Sequence, residues 1–321
     1  MPYDLVIIGS GPAGLSAGLY AGRYRMKTLV IGDEFGGAAS KSGVIWNYPG
    51  NKGIDGYELM SIMRDQAREV GTEVVDAKVT GVKSEGGCFE VSTSKHTYNA
   101  KSVLFAVGTE HRKLGLPNEK ELLSKGVHTC ATCDAPLYSG KTVAFVGGGD
   151  ASVKSINLTA EYVDKIYFII RSQIKAEPIN VEQMKKLGDK VMLLEGYEVK
   201  EIVGEKHLEK IILSKPYNGS DELVVPALFV EIGSKPNVEM AVGLGVELDE
   251  TGHIKTDLLT TTNVPGVFAA GDATNLFNFF KQDITAAAMG AVAATASYNY
   301  TKMHGNLCMV HMKPAGTLAV V

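Results

Sequence analysis

The chain has 321 residues, 45 % hydrophobic and 21 % charged, a balance that suits about two globular domains. Thirty-two basic against 36 acidic side chains give a net charge of −4, too mild to point to nucleic acid or an anionic membrane as a partner. Four cysteines, at 88, 130, 133 and 308, do not make a secreted disulfide framework, and with no basic, cleavable leader at the start a cytoplasmic location is expected.

Leu5–Ile8 is a short apolar run followed by Gly9-Ser10-Gly11-Pro12-Ala13-Gly14 and a helical pattern to about Tyr24. Thr28–Ile31 reads as a second buried strand, so the chain opens with a parallel β-turn-α-β unit. From Lys78 to Tyr98 the pattern alternates around a Gly86-Gly87 turn, the mark of a small antiparallel layer. Val103–Val107 is a further buried strand ending in Gly108. The grammar restarts at Lys141: strand Val143–Val146, turn Gly147-Gly148-Gly149, helix Ala151–Tyr162 and strand Ile166–Ile170. A second antiparallel stretch is expected over Val191–Leu213 and Leu223–Val230, and Gly233–Asn237 as a return linker. The strand Val267–Ala270, Gly271-Asp272 and a helix over about Ile284–Tyr300 close the pattern. The fold class is therefore α/β: two Rossmann-like, three-layer ββα nucleotide-binding domains, with 114–236 inserted into a domain made of 1–113 and 237–321.

Gly9-x-Gly11-x-x-Gly14 follows a strand and opens a helix, the context in which such a loop binds a dinucleotide. The first glycine makes the turn, the second lets a pyrophosphate approach the helix N-terminus, and the third lets helix and strand pack closely. Glu34 stands where an acid for ribose hydroxyls is expected. Gly271-Asp272 at a strand end, with amides at the helix start near Gln282, favours FAD over NAD in this first site. Cys130-Ala131-Thr132-Cys133-Asp134 carries the chemistry, because two intervening residues let both sulfurs meet at a helix start where backbone N–H groups stabilise a thiolate. The rival reading is half of a zinc site, but Cys88 and Cys308 stand alone in the sequence and no second pair completes four ligands, so no metal is expected. Asp134 is open to two readings, a helix cap or a proton donor to a leaving thiolate.

Together these motifs resemble the low-molecular-weight thioredoxin reductases over nearly the whole chain. The resemblance rests on the first glycine loop, Glu34 with Gly36-Gly37, Asn47-Tyr48-Pro49-Gly50, the Cys-Ala-Thr-Cys-Asp run at 130–134, Gly-Val-Phe-Ala-Ala-Gly-Asp at 266–272 and Lys281-Gln282-Asp283-Ile284. It implies bound FAD held by Gly9, Gly11, Pro12, Ala13, Gly14, Glu34, Gly37, Asn47, Gly108, Gly271, Asp272, Gln282, Asp283 and Ile284. It also implies electrons entering the disulfide through Cys133, Cys130 attacking the disulfide of a thioredoxin-like protein, and Asp134 as the acid. A homodimer and a rotating inserted domain, with hinges near Arg112–Leu116 and Gly233–Asn237, belong to the same expectation.

Two departures bear on the electron donor. The family's arginine-rich reader of the NADPH 2′-phosphate is reduced here to Arg171 and Lys175, and Ser152, in place of the third glycine, is bulky for close packing. NADPH binding is thus doubtful. Reduced ferredoxin is the donor this state suggests, with an NADPH enzyme of atypical site, a non-turnover flavin redox sensor and a hydride-shuttling ferredoxin reductase as the alternatives. Plant-type ferredoxins near about −400 mV and thioredoxin near about −270 mV leave roughly 6 kcal/mol for two electrons. Lys185, Lys186 and Lys200 are the basic side chains offered to such an acidic partner. Ala135-Pro136 replaces the family's glycine and aromatic after the acid, and the tail Met303–Val321, apolar at its end, is expected to pack across a dimer or over the flavin.

Overall fold

In the strand Leu5–Ile8 all four side chains are buried, and alternation sends them to two different cores. Leu5 and Ile7 pack with Leu15, Ala17 and Met60 on the helical side; Val6 and Ile8 pack with Val79, Phe89 and Val91 of the antiparallel layer. A strand covered on both faces must be apolar throughout, which is why it reads as a continuous run. The computed structural model describes residues 2–277 and 280–304. The expectation for the tail beyond His304 lies outside the described residues.

The chain forms two compact units, 1–109 with 236–321, and 110–235. The first is built on a five-stranded parallel sheet in the order Val267–Ala269, Val103–Phe105, Leu5–Ile8, Thr28–Gly32, Glu73–Asp76. Helices Pro12–Arg23, Gly56–Glu69 and Asp283–Met303 supply one layer. The antiparallel strands Val79–Glu85, Cys88–Thr93 and Thr97–Ala100 supply the other. Helix Pro12–Arg23 starts with proline at its first turn, where the missing N–H costs nothing. Helix Gly56–Glu69, which the sequence reading missed, is capped by Asp55, whose carboxylate accepts from the N–H groups of Tyr57 and Glu58.

The second unit repeats this plan. Its parallel sheet runs Val127–His128, Leu228–Val230, Thr142–Val146, Lys165–Ile170, Val191–Glu195. Val143 and Phe145 face helix Asp150–Thr159, and Ala144 and Val146 face an antiparallel layer of Val199–Val203, Lys210–Tyr217 and Ser220–Val224. This corrects the expected antiparallel stretch at both ends. Val191–Glu195 and Leu228–Val230 are parallel strands of the main sheet, and only the residues between them form the antiparallel layer. Helix 151–162 is also shorter than expected, ending at Thr159. A helix at Pro178–Lys185 was not foreseen. Two short strands, Thr109–His111 and Ser234–Pro236, pair where the chain crosses from one unit to the other. Among the described residues no helix is long and apolar enough to cross a membrane.

Candidate active site and nucleotide loops

In the first unit Gly9 turns with φ of +112°, and a Cβ there would sit 2.1 Å from the Ala106 carbonyl oxygen. A Cβ at Gly14 would lie 1.9 Å from the Gly9 carbonyl oxygen, so helix and strand meet at a distance that excludes any side chain. Gly11, the residue before the helix, is different: a Cβ there meets only the Gly36 carbonyl oxygen, at 3.7 Å. The space in front of it is open to a phosphate facing the amides that follow. Pro12 and Ala13 form the first helical turn.

Other predicted residues gather around this helix start. Gly37 has φ of +57°, and a Cβ on it would come 3.7 Å from the Gly11 Cα. Its N–H donates to the Glu34 carbonyl oxygen, to which the Ser10 hydroxyl also donates. The Glu34 carboxylate is half exposed and pairs with the Lys41 ammonium, a partner the sequence reading missed. Gly271 lies against the Ala13 and Ala286 methyl groups. Beside it burial raises the Asp272 carboxyl above its ordinary range, with the Lys281 ammonium pulling the other way. Burial in turn lowers the Lys281 ammonium from its ordinary range, with Asp272 opposing, and the ammonium donates to the Thr274 carbonyl oxygen. Gln282 caps helix Asp283–Met303, its side chain accepting from the N–H of Thr285, the third helical residue, while the Thr285 hydroxyl accepts from the Gln282 N–H. The Asn47 amide donates to the Gln282 side-chain oxygen at 2.8 Å, and burial, then the charge of Asp283, pushes the Tyr48 hydroxyl up. Ile284 is half-buried in the first helical turn. Gly108 has φ of +57°, and its carbonyl accepts from the Asn237 N–H. The site offers an open glycine turn, a helix N-terminus and a desolvated carboxylate on a second strand end. That donor set fits a flavin dinucleotide.

The second unit's glycine loop is built differently. Gly147 takes φ of +125°, and a Cβ there would meet the Glu231 carbonyl oxygen at 2.1 Å, so Glu231 occupies the place of Ala106. The concern over Ser152 is corrected by its geometry: it is fully buried, and its hydroxyl donates to that same Glu231 carbonyl at 3.1 Å. The Glu231 carboxyl is buried too, accepts from the Ser155 hydroxyl, and is pushed up to about 7 by desolvation. The chain after Ile170 then folds back on the loop. The Lys175 N–H donates to the Gly148 carbonyl oxygen at 2.7 Å, and Lys175 forms a parallel bridge with Gly149. Asp150, at the first position of the helix, accepts from the Glu177 N–H at 3.0 Å and the Asn180 amide at 2.9 Å, and pairs with Lys154 at 2.6 Å. These bonds hold its carboxyl below its ordinary range against the opposing effect of burial. A helix N-terminus that elsewhere would receive a phosphate faces the chain's own carboxylate and backbone. Arg171 is exposed beyond it.

Cys130 and Cys133 form a disulfide, with Cα atoms 5.4 Å apart. Cys130 is the cap of the short helix Ala131–Asp134, and its sulfur accepts from the Cys133 N–H at 3.3 Å. Asp134 is in that helix, where its carboxylate lies 2.9 Å from the His128 imidazole. Among the described residues no cluster of side chains has the makings of a metal site.

A family profile described as pyridine nucleotide-disulphide oxidoreductase matches residues 3–295. A thioredoxin reductase of Borreliella burgdorferi is 36 % identical over 304 residues, covering 93 % of this chain and 92 % of that protein. The chain belongs to this family, in its thioredoxin reductase branch. Among solved structures, the thioredoxin reductase of Lactococcus lactis superposes with a TM-score of 0.88 at 32 % identity, over 94 % of this chain and 99 % of that one. A ferredoxin-flavin thioredoxin reductase from Clostridium acetobutylicum matches with a TM-score of 0.52 at 32 % identity, over 95 % and 99 %.

Proposed function

We propose that this protein is an FAD-dependent thioredoxin-disulfide reductase that takes its electrons from reduced ferredoxin. The reductase reading rests on the Cys130–Cys133 disulfide at a helix start, in a chain whose relatives are thioredoxin reductases. The donor reading rests on one observation: the second loop's helix starts with the Asp150 carboxylate, which accepts from the Glu177 N–H, and Lys175 is bonded to the loop backbone, so negative charge stands where a phosphate would be received.

FAD, when bound, supplies a centre that takes up single electrons and hands on a pair. Gly9–Gly14 and the following helix amides would hold its pyrophosphate, Glu34 the ribose, and Asp272 the flavin side. Gly37, Asn47, Gly108, Gly271 and Gln282–Ile284 complete the wall. Cys133 receives the electron pair, Cys130 attacks the thioredoxin disulfide, and Asp134 protonates the departing thiolate. Lys200 already pairs with Glu198, which leaves Lys185 and Lys186 exposed to meet an acidic partner. The protein works in the cytoplasm as a homodimer, in keeping with a mildly acidic chain and its resemblance to the family.

An anaerobic titration of the yellow protein tests both halves. Reduced ferredoxin should bleach the flavin, and NADPH and NADH should leave it oxidised. Rapid bleaching by NADPH would overturn the donor. With the effective donor, Cys133→Ser should abolish thioredoxin reduction while the flavin still bleaches; a variant that still turned over thioredoxin would overturn the reductase reading.

A further inference from the structure

The edge strand Val127–His128 ends two residues before Cys130 and sets a histidine beneath the cysteine helix. Parallel pairing puts His128 beside Phe229 on the neighbouring strand, with ring centroids 5.4 Å apart. Phe229 in turn stacks on Phe145 at 4.6 Å. The imidazole is only 2 % exposed and cannot swing away. Its Nε2 is 2.7 Å from the Tyr138 hydroxyl, and its Nδ1 is 2.9 Å from Asp134 Oδ2. The Nδ1 contact is within hydrogen-bonding distance of the carboxylate, though bent from linearity. Tyr138 is half-buried and follows in the next turn, Ala135–Tyr138. Three titratable groups thus form a row that starts beside the disulfide and ends near solvent.

We propose that His128 is a positioning residue for the disulfide chemistry: it orients the Asp134 carboxyl and returns to it the proton that Asp134 gives to a departing thiolate. The proposal deepens the reductase reading and rests on it. In the exchange, a thiolate of an incoming dithiol attacks one sulfur of the pair. The Cys130–Cys133 bond breaks as a mixed disulfide forms, and the other sulfur departs with the bonding electrons and takes the Asp134 proton. The second thiol of the dithiol, losing its proton to solvent, then closes a new disulfide, and the second cysteine is protonated in turn. The dithiol is oxidised by two electrons and the cysteine pair reduced by two. His128 re-protonates Asp134 from Nδ1, and the Tyr138 hydroxyl passes a solvent proton to Nε2. Burial keeps the imidazole below its ordinary value despite Asp134, and raises the Tyr138 hydroxyl, so both carry the protons this relay needs at neutral pH. Among the described residues Asp134 and Tyr138 are the titratable groups facing the ring; the adjoining strands present Phe229 and Phe145.

The test uses the full-length protein, dithiothreitol as the probe, and peptide-resolved alkylation of Cys130 and Cys133, from about pH 5 to 9. His128→Phe should slow reduction on the order of tenfold or more, at or below the span of a direct proton donor. His128→Gln should recover part of the rate at its plateau by holding Asp134, yet lack the wild-type pH limb, and Tyr138→Phe should displace that limb. If His128→Phe fails to fold, the other two variants decide. A folded His128→Gln with the wild-type rate and pH profile overturns the proposal, and if Asp134→Asn is slow in the same assay the reductase reading survives. A wild-type disulfide inert to dithiothreitol overturns both.

Discussion

The two glycine loops of this chain make the same turn after the same kind of strand, yet their helix starts are built differently. In the first, Gly14 presses against the Gly9 carbonyl, and a Cβ on Gly11 would meet only the Gly36 carbonyl oxygen, at 3.7 Å. In the second, Ser152 takes the third position, a buried acid stands where the first unit has Ala106, and the helix starts with the Asp150 carboxylate, which accepts from the Glu177 N–H. On the donor reading proposed above, a nucleotide-binding framework outlasts its binding function. The sheet is held by Val143, Phe145, Ile166 and Phe168 in the interior, while phosphate recognition depends on a few residues at the rim.

The sharpest break in this comparison is an exchange of third positions. Gly14→Ser forces a side chain into a carbonyl 1.9 Å from the Cβ, and the purified protein should lose essentially all bound flavin, read as visible absorbance per mole of protein. A yellow Gly14→Ser protein would show that the close approach is dispensable.

Glu231 gives the next largest effect. Its carboxyl is raised to about 7 from an ordinary 4.5. The folded state therefore binds more protons than the unfolded state between these values. Its favourable contribution is fully present below about pH 4.5 and is lost as pH rises towards 7, on the order of 3 kcal/mol in all. Glu231→Gln should flatten this part of the stability profile and gain most over the wild type above pH 7, followed by thermal melts across that range. Parallel profiles for the two proteins would sink the assignment.

Ser152→Gly, the mirror of the first exchange, removes a buried hydroxyl bonded to the Glu231 carbonyl. It should cost about 1–2 kcal/mol, seen in denaturant midpoints, and leave flavin content alone. Gly149→Ala should be the quietest change. A Cβ there meets nothing within 4 Å and the backbone is extended, so turnover with ferredoxin should stay as it was. A large loss would mean that a ligand does press on this loop.

The sequence displayed much of this architecture, because strands buried on both faces appear as unbroken apolar runs, as Leu5–Ile8 and Ile166–Ile170 do. It was ambiguous where a run could serve either sheet. Val191–Glu195 lies at the sheet edge with most of its residues only partly covered, and nothing local says it pairs in parallel with Lys165–Ile170. Helix Gly56–Glu69 was missed although Asp55 two residues before Tyr57 is an ordinary cap signal. In the site, the glycines and cysteines carry fixed spacings and stood out. Lys41 on Glu34, the Asn47–Gln282 bond and His128 under Asp134 arise from folding, across separations no motif records. His128 had one available signal, its place two residues before Cys130 at the end of an apolar strand.

The segment bonded to the second loop has a consequence for how the protein meets its surroundings. A pocket that binds a metabolite draws stability from it by mass action, so its folding free energy follows the supply of that metabolite. The segment bonded to Gly148, Gly149 and Asp150 is tied to the loop by the chain itself, and its local concentration never changes. On the reading proposed here, the unit that carries the cysteines is insulated from swings in the nicotinamide pool, and its heat resistance should be the same in a starved cell as in a fed one.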